Sequence, residues 1–240
     1  RALLKTNQST LAPTIQTVPD YSDLFKTHLP NRSSIAFKDS NRVGQHIDLS
    51  LRWAYHDLLD PTSILLNSTS IEAFSGTLRI MDGDTRLEKL DLVAVKSLPN
   101  YAYLFPRVSK NFNISLNRSS LTDEKLGTNL TWGRGLSKHT QAGDIFYSLV
   151  NLEFLYSSNL STTLGYSSEV GFNSNLSDNL RLLVKVNRKW YPEVNHTGTL
   201  FYTGINFFLN ERTTITGELV NTDDDASSEV TVGIRLNYFF

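Results

Sequence analysis

Apolar and polar residues alternate through the last eleven residues of the chain, "VTVGIRLNYFF". One parity carries apolar side chains, namely Val230, Val232, Ile234, Leu236, Tyr238 and Phe240. The other parity carries Thr231, Gly233, Arg235 and Asn237, and only Phe239 departs from the pattern. Because successive side chains of a strand point to opposite faces, the segment is predicted to be a β-strand with one apolar and one polar face.

The same alternation returns along most of the chain from about residue 32 onward. It is clearest in "HIDLSLRWAY", "VSKNFNISL", "FYSLVNLEFLY", "NLRLLVKV" and "TLFYTGINFFL". It is less regular in "RSSIAFK", "EAFSGTLRI", "KLDLVAV", "LGTNLTW", "TLGYSSEVGF" and "TTITGELV". Turn-forming segments such as "MDGD" and "NTDDDASS" separate these runs, and no helical period competes with them. With the final strand, the pattern predicts an all-β fold of about twelve strands.

An antiparallel transmembrane β-barrel accounts for these two-faced strands better than a soluble fold does. A soluble barrel of about twelve strands would enclose a lumen too wide for its apolar side chains to fill. The opposite faces are rich in Ser, Thr, Asn and Gly, as in a wet barrel interior, and aromatic residues fall near the expected strand ends: Trp53, Tyr55, Trp132, Tyr156, Trp190 and Tyr238. We therefore predict a barrel over residues 30–240 in the outer membrane of a Gram-negative bacterium. A soluble sandwich or lipocalin-like barrel is the alternative.

Composition narrows the function classes without changing this interpretation. The apolar fraction is 40%, the mean hydropathy is −0.25, and no stretch approaches the roughly 20 apolar residues of a spanning helix. The net charge of −1 gives no electrostatic footprint for nucleic acid. The absence of cysteine excludes disulfides, thiolate metal sites and a cysteine nucleophile within these residues. Five histidines lie scattered without ligand spacing, so no metal or other cofactor is predicted.

The end of the chain resembles the C-terminal signature of bacterial outer-membrane barrels, in which a last-residue Phe follows apolar residues at alternate positions. In those proteins the signature is read by the barrel-assembly machinery. The resemblance implies that the assembly machinery is a partner, together with membrane lipid and lipopolysaccharide. It also implies an assembly signal formed by Ile234, Leu236, Tyr238 and Phe240.

A second resemblance rests on "RWAYHDLLDP" at residues 52–61 and "LEKLDLVAVKSL" at residues 87–98, with "TWGRGLS" and "DIFYSLV" after them. These segments are similar to the β-rich C-terminal part of a DUF4105-like family of Gram-negative envelope proteins. The N-terminal domain of that family resembles papain-like cysteine enzymes and is linked to lipoprotein N-acylation. The resemblance implies that this chain is the membrane part of a longer envelope protein, or of a relative that has lost the enzyme domain. Since the chain has no cysteine, no catalytic residue is carried over.

The polar faces of the predicted strands carry charges of both signs. By strand parity we expect a lumen network of His46, Asp48, Arg52, Lys89, Asp91, Glu153, Glu169, Arg181, Lys185, Glu218 and Arg235. His46, Asp48 and Ser50 also form a Ser, His and Asp set on one strand face. Side chains two residues apart lie about 6.6–7 Å from each other, so one strand alone cannot align a hydrolytic triad. The chain is therefore predicted not to be an enzyme, and a barrel-wall hydrolase acting on lipid is the less favoured alternative.

Long connections are expected at the end of the barrel that holds the termini. If the first strand runs outward, an even strand number places both termini in the periplasm, and the connections at 57–69, 98–106 and 134–143 are then long for inner turns. We predict that residues 1–29 are a periplasmic linker or docking segment. We also predict a periplasmic docking loop that contains His56, Asp57, Asp60 and Pro61.

These features predict a membrane anchor or scaffold module of a larger envelope protein or complex. Its partner would be a periplasmic protein or an upstream domain of the same chain. A small-solute pore is the alternative. A ring of one charge sign in the lumen would favour the pore, a plugged lumen the anchor, and convergent Ser, His and acid side chains the hydrolase.

Overall fold

The computed structural model describes residues 28–60, 68–104, 106–122, 124–158, 160, 162–225 and 227–240. Its strands are β1 Asn31–Ser40, β2 Gly44–His56, β3 Thr69–Met81, β4 Asp84–Ser97, β5 Ser109–Arg118, β6 Leu126–His139, β7 Ile145–Tyr156, β8 Thr163–Ser177, β9 Leu180–Tyr191, β10 His196–Asn210, β11 Thr213–Asp224 and β12 Ser228–Phe239. Two short 3₁₀ turns lie at Ser120–Thr122 and Pro192–Val194. Strands of this length can cross a bilayer when they are tilted.

The strands form one closed antiparallel barrel. Each strand pairs with its neighbours in chain order, and β1 closes the ring by pairing with β12. The closing register runs from Arg32 opposite Phe239 to Ser40 opposite Thr231. Closure leaves no free sheet edge, so the backbone N–H and C=O groups of the strands bond to one another where lipid offers them nothing. The predicted all-β barrel of about twelve strands is confirmed.

Burial is inverted relative to a soluble protein. Along β7, Tyr147, Asn151 and Glu153 are buried, whereas Val150 and Phe154 on the other parity are exposed. The exposed face holds large apolar side chains on other strands too, including Phe37, Leu49, Trp53, Val170, Val186, Ile205, Phe207, Val232 and Ile234. In water this arrangement would expose an apolar belt, whereas in lipid it is the expected one. No helix among the described residues is long and apolar enough to span a bilayer.

The barrel has two unlike ends. The terminal end holds the start of β1, the end of β12 and the connections 57–68, 98–108, 140–144, 178–179 and 211–212. The turn end holds the other six connections. Only 57–68 and 98–108 are long at the terminal end, so the long connection predicted at 134–143 is wrong, because β6 continues to His139.

A glycine inside β6 explains why a connection was predicted at 134–143. Gly135 lies inside β6, where a Cβ atom would come within 1.8 Å of the Ser148 carbonyl oxygen on β7. The residue therefore permits a close approach of two strands and does not mark a turn. Trp132 was likewise expected near a strand end, but it lies in the middle of β6 opposite Leu152. Trp190, which is also expected near a strand end, does lie near the turn end, where its ring stacks on that of Tyr166 with centroids 5.5 Å apart.

Candidate functional site in the barrel lumen

The charged residues predicted for the lumen lie in three groups along the barrel. In the first group, Asp48 accepts a hydrogen bond from Arg79 at 2.9 Å and pairs with Lys38 at 3.2 Å. Lys38 also pairs with Glu218 at 2.7 Å, and Arg235 bonds to the same carboxylate. His46 is buried beside this group, with its Nδ1 atom 3.0 Å from the Gly44 carbonyl oxygen. These contacts join β1, β2, β3, β11 and β12 on the inner wall.

The second group lies midway along the lumen and consists of lysine–carboxylate pairs. Lys89 lies 2.8 Å from Asp91, and Lys189 lies 3.4 Å from Glu153. Lys96 pairs with Glu169 across the lumen, from β4 to β8. Lys185 has no carboxylate within 4.0 Å among the described residues, and its Nζ atom lies 5.2 Å from the centroid of the Tyr202 ring.

The third group surrounds Asp57–Asp60, which we name the plug because it enters the lumen. Leu58 and Leu59 are buried in an apolar cluster with Leu98, Ile145, Tyr147, Leu149 and Leu183. The last four of these lie on the inward face, where strand patterning favours polar residues. This inward apolar patch gives Leu58 and Leu59 apolar contacts that a purely polar lumen wall would not provide; we call it the seat of the plug.

Side chains from the far wall bind the backbone of the plug. Asn173 Nδ2 donates to the Leu58 carbonyl oxygen at 3.0 Å, and Asn206 Nδ2 donates to the Leu59 carbonyl oxygen at 2.8 Å. Arg181 donates to the Asp60 carbonyl oxygen. These residues come from β8, β10 and β9, which lie across the ring from β2. The plug therefore crosses the lumen from one wall to the other.

Two arginines on the near wall bind the acidic ends of the plug. Arg32 Nη1 donates to Asp57 Oδ2 at 2.8 Å and to Asp60 Oδ1 at 2.9 Å. Arg52 Nη2 donates to Asp60 Oδ2 at 2.5 Å, and its Nη1 donates to Asp57 Oδ2 at 3.3 Å. Burial by itself would raise the pKa of Asp57, but the two arginines hold it well below its usual range. The plug is thus fixed by charge on one side and by amide hydrogen bonds on the other.

The residues predicted as a docking loop lie within this arrangement. His56, Asp57 and Asp60 belong to the end of β2 and the plug, where His56 and Asp60 are buried, and Pro61 lies outside the described residues. Their docking role stays a prediction. Of the predicted docking segment at residues 1–29, only His28 and Leu29 are described.

The predicted assembly signal lies on the outer face of β12 and just after it. Ile234, Leu236, Tyr238 and Phe240 are all exposed there. Phe239, which departs from the alternation, faces inward and is fully buried, with its ring 4.3 Å from that of His28. The signal function of the four exposed residues stays a prediction.

Sequence patterning missed several residues that complete the lumen network. Arg32 and Lys38 share the inward parity of "RSSIAFK", so that parity was the available signal. Lys96 is harder to place, because β4 changes register against β5 between Asp91 and Val93 and so shifts which residues face inward. Asn173 and Asn206 carry no local mark of their contact with the plug.

Two adjoining cavities occupy the lumen on the turn-end side of the plug. The mid-lumen cavity has a volume of about 410 Å³, and its lining includes Leu58 and Leu59 of the plug. The outer cavity, of about 380 Å³, lies toward the turn end. Asn117, Asn187 and Lys189 line both, so the two spaces are neighbours along the barrel axis. Both linings carry charges of each sign, so the described lumen residues form no ring of one sign.

The set predicted as a possible hydrolytic constellation does not converge. Ser50 Oγ lies 3.0 Å from Thr77 Oγ1, Asp48 binds Arg79 and Lys38, and His46 contacts the Gly44 carbonyl oxygen. Within the described part of the chain, no group of three or more His, Asp or Glu side chains is arranged to hold a metal ion.

Comparison with solved structures gives outer-membrane barrels. The chain aligns with the NanC porin at a TM-score of 0.54 and 7% identity, covering 86% of this chain and 98% of that one. It also aligns with the COG4313 outer membrane channel from Pseudomonas putida F1 at a TM-score of 0.52 and 11% identity, covering 89% and 96%. At this identity the likeness concerns the fold.

No curated protein sequence matches the chain. The implied link to DUF4105-like proteins and an upstream enzyme domain stays a prediction. The closed barrel, its lipid-facing belt and its neighbours place the chain in the outer membrane of a Gram-negative bacterium. A family model described as a domain of unknown function, DUF7840, matches residues 26–239, and the chain belongs to that family.

Proposed function

We propose that this barrel is a channel for small solutes whose terminal end is restricted by the plug. The observation that carries the proposal is the pair of adjoining cavities between the turn end and Leu58 and Leu59, both of which are lined by charged and amide side chains. A wall lined by polar groups offers a solute a route that lipid does not. With both termini in the periplasm, the turn end would face outward and the plug would control passage inward.

The fold supports this proposal, since the two structures with which it aligns are titled a porin and a channel. The wall charges are of both signs, and most lie in pairs. A channel of this kind should therefore discriminate weakly between cations and anions, because charge selection needs a net field along the path.

Planar-bilayer recording on the purified, folded chain tests the channel. Replacing both plug leucines with serine (L58S/L59S) removes apolar contacts in the lumen without touching the arginine–aspartate contacts. We expect the native chain to show small, intermittent currents and the double variant to show larger and longer openings. L104S is the matched control, because Leu104 lies exposed in the 98–108 connection.

An L58S/L59S variant that folds but passes no ions would contradict the channel. Folding is checked by the mobility difference between boiled and unboiled samples on an SDS gel. If neither the native chain nor L58S/L59S conducts, the lumen is not a route for solutes.

A membrane anchor or scaffold is the second candidate, and the plug is the observation that favours it. A lumen crossed by Asp57–Asp60 suits a barrel that holds a periplasmic domain or partner at the terminal end. In that case the proposed partners are a periplasmic protein or an upstream domain, with lipid, lipopolysaccharide and the barrel-assembly machinery as for any such barrel. Loss of partner capture on changing the 98–108 connection, with no conductance in any variant, would select the anchor.

A further inference from the structure

Three asparagines that line the mid-lumen cavity have side-chain oxygens without a hydrogen-bond partner among the described residues. The side-chain oxygens of Asn113, Asn129 and Asn187 are buried and have no partner among the described residues. All three residues line the cavity, on β5, β6 and β9. Buried amide oxygens without a partner are costly, so a rotation of these side chains that turns their oxygens toward a hydrogen-bond donor in the lumen would be favourable.

The charges of the same cavity are largely balanced. Lys89, Lys96 and Lys189 each pair with a carboxylate of the wall. Among the described residues, Lys185 has no carboxylate within 4.0 Å and Glu72 has no cationic group within 4.0 Å. These two residues lie on β9 and β3, opposite each other in the ring. The plug side adds an apolar floor with one aromatic ring, formed by Leu58, Leu59, Leu183 and Tyr202.

We infer that the mid-lumen cavity is a binding site for a small, uncharged, hydroxyl-rich solute of monosaccharide or disaccharide size. Free amide oxygens accept hydrogen bonds, and hydroxyl groups donate them, whereas a carboxylate or phosphate has only acceptors to offer. Balanced wall charges give an anion no net attraction. The apolar floor matches the C–H face of a sugar ring. A volume of about 410 Å³ lies within the range of small-molecule sites.

This inference deepens the channel proposal and rests on it for the idea that a solute enters the lumen. Its test is binding, measured by isothermal titration calorimetry on the full folded chain in detergent. The probes are maltose, and the pair glucose and glucuronate, which differ by one carboxylate. Maltose and glucose should bind, and glucuronate should bind more weakly than glucose.

Three variants locate the site. N113L, N129L and N187L each remove one free acceptor, and each should weaken maltose binding by about fivefold to tenfold. N221L is the matched control, because Asn221 also has an unpartnered buried side-chain oxygen but lies outside both lumen cavities. Folding of every variant is checked by heat modifiability. The comparison of glucose with glucuronate is made on the native chain, so it remains informative even if a variant does not fold.

The outcomes separate this site from the channel. No heat with either neutral sugar, tighter binding of glucuronate than of glucose, or an equal loss in N221L would each overturn the site. A chain that conducts but binds no neutral sugar keeps the channel and loses the site. A chain that binds maltose with the predicted losses but never conducts keeps the site and loses the channel.

Discussion

At the scale of single residues, Asp60 is where the contacts of the plug converge. Its two carboxylate oxygens accept from Arg32 and Arg52, and its Oδ2 atom also accepts from the Asp57 backbone N–H at 2.9 Å. Its backbone carbonyl oxygen accepts from Arg181. Arg52 and Asp60 are each 1% exposed, so neither charge has water as a substitute partner. A buried pair of this kind is strongly destabilised by the loss of one partner.

Replacing Asp60 with alanine should therefore lower the free energy of unfolding by about 3 kcal/mol, since both arginines lose a partner in a dry site. The measurement is the midpoint of urea unfolding in detergent. D178A is the control, because Asp178 lies in the exposed β8–β9 turn. Equal midpoints for D60A and D178A would show that the cluster contributes little.

His28 should make stability depend on pH. Its Nε2 atom lies 3.7 Å from Asp60 Oδ2, and burial lowers the pKa of His28 although Asp60 opposes that shift. As pH falls below the unfolded value of 6.5, the unfolded chain binds a proton before the folded chain does, so stability falls. Asp57 keeps its charge in this window, because its pKa is lowered.

The expected result is a smaller acid-induced loss of stability in H28N than in the native chain. Urea unfolding at pH 8 and at pH 5.5 measures that difference. An equal loss of stability in H28N and the native chain between pH 8 and pH 5.5 would show that His28 does not cause the pH dependence.

At the scale of elements, the plug packs closely against β10 because residue 204 is a glycine and has no side chain. A Cβ atom at Gly204 would lie 2.7 Å from Leu59 Cδ1 and 2.5 Å from the Tyr202 hydroxyl. At Gly217, on the neighbouring strand β11, a Cβ atom would meet nothing within 4 Å. Gly204 is therefore packed against the plug, whereas Gly217 has open space around it and serves as the control position.

G204A should displace Leu59 and loosen the plug, with an overpacking cost of about 1–3 kcal/mol. Single-channel recording should then show more open time than in the native chain. G217A should behave like the native chain. If the open time is the same in both variants, the position of Leu59 does not set the conductance.

The strands could be predicted from the sequence, but the plug could not. Alternation of apolar and polar residues is a local signal, and each strand such as β7 carries it in full. The inward position of residues 57–60 depends on Asn173, Arg181 and Asn206, which lie more than 100 residues away. The length of the connection after β2 predicts that it is unusual, but the position of residues 57–60 in the lumen follows only from contacts that the closed barrel brings together. Bulges in β3, β4 and β10 also changed which residues of those strands face inward.

At the scale of the whole molecule, closure of the ring is the condition for stability in lipid. Ala36 lies in β1, where it pairs with Asp48 of β2 and Arg235 of β12. Proline at this position has no N–H to donate and fits only poorly between two strands. In lipid no water replaces the lost bond.

A36P should therefore abolish the heat-modifiable band on an SDS gel, because the barrel fails to close. A102P is the control, since Ala102 lies exposed in the 98–108 connection. Retention of the folded band in A36P would mean that the β1–β12 seam tolerates a missing bond.

The covalent connection of the plug to β2 and β3 has a kinetic consequence. A plug tethered at both ends stays near its seat after it leaves, at an effective concentration in the millimolar range for short links. Its return is an intramolecular event, so opening and closing should follow rates that do not change with protein concentration. A free peptide that copies residues 57–60 would have to reach a similar concentration before it could compete for the seat. In the proposed channel, a partner that opens the barrel would act on the tether or on the side chains that hold the plug.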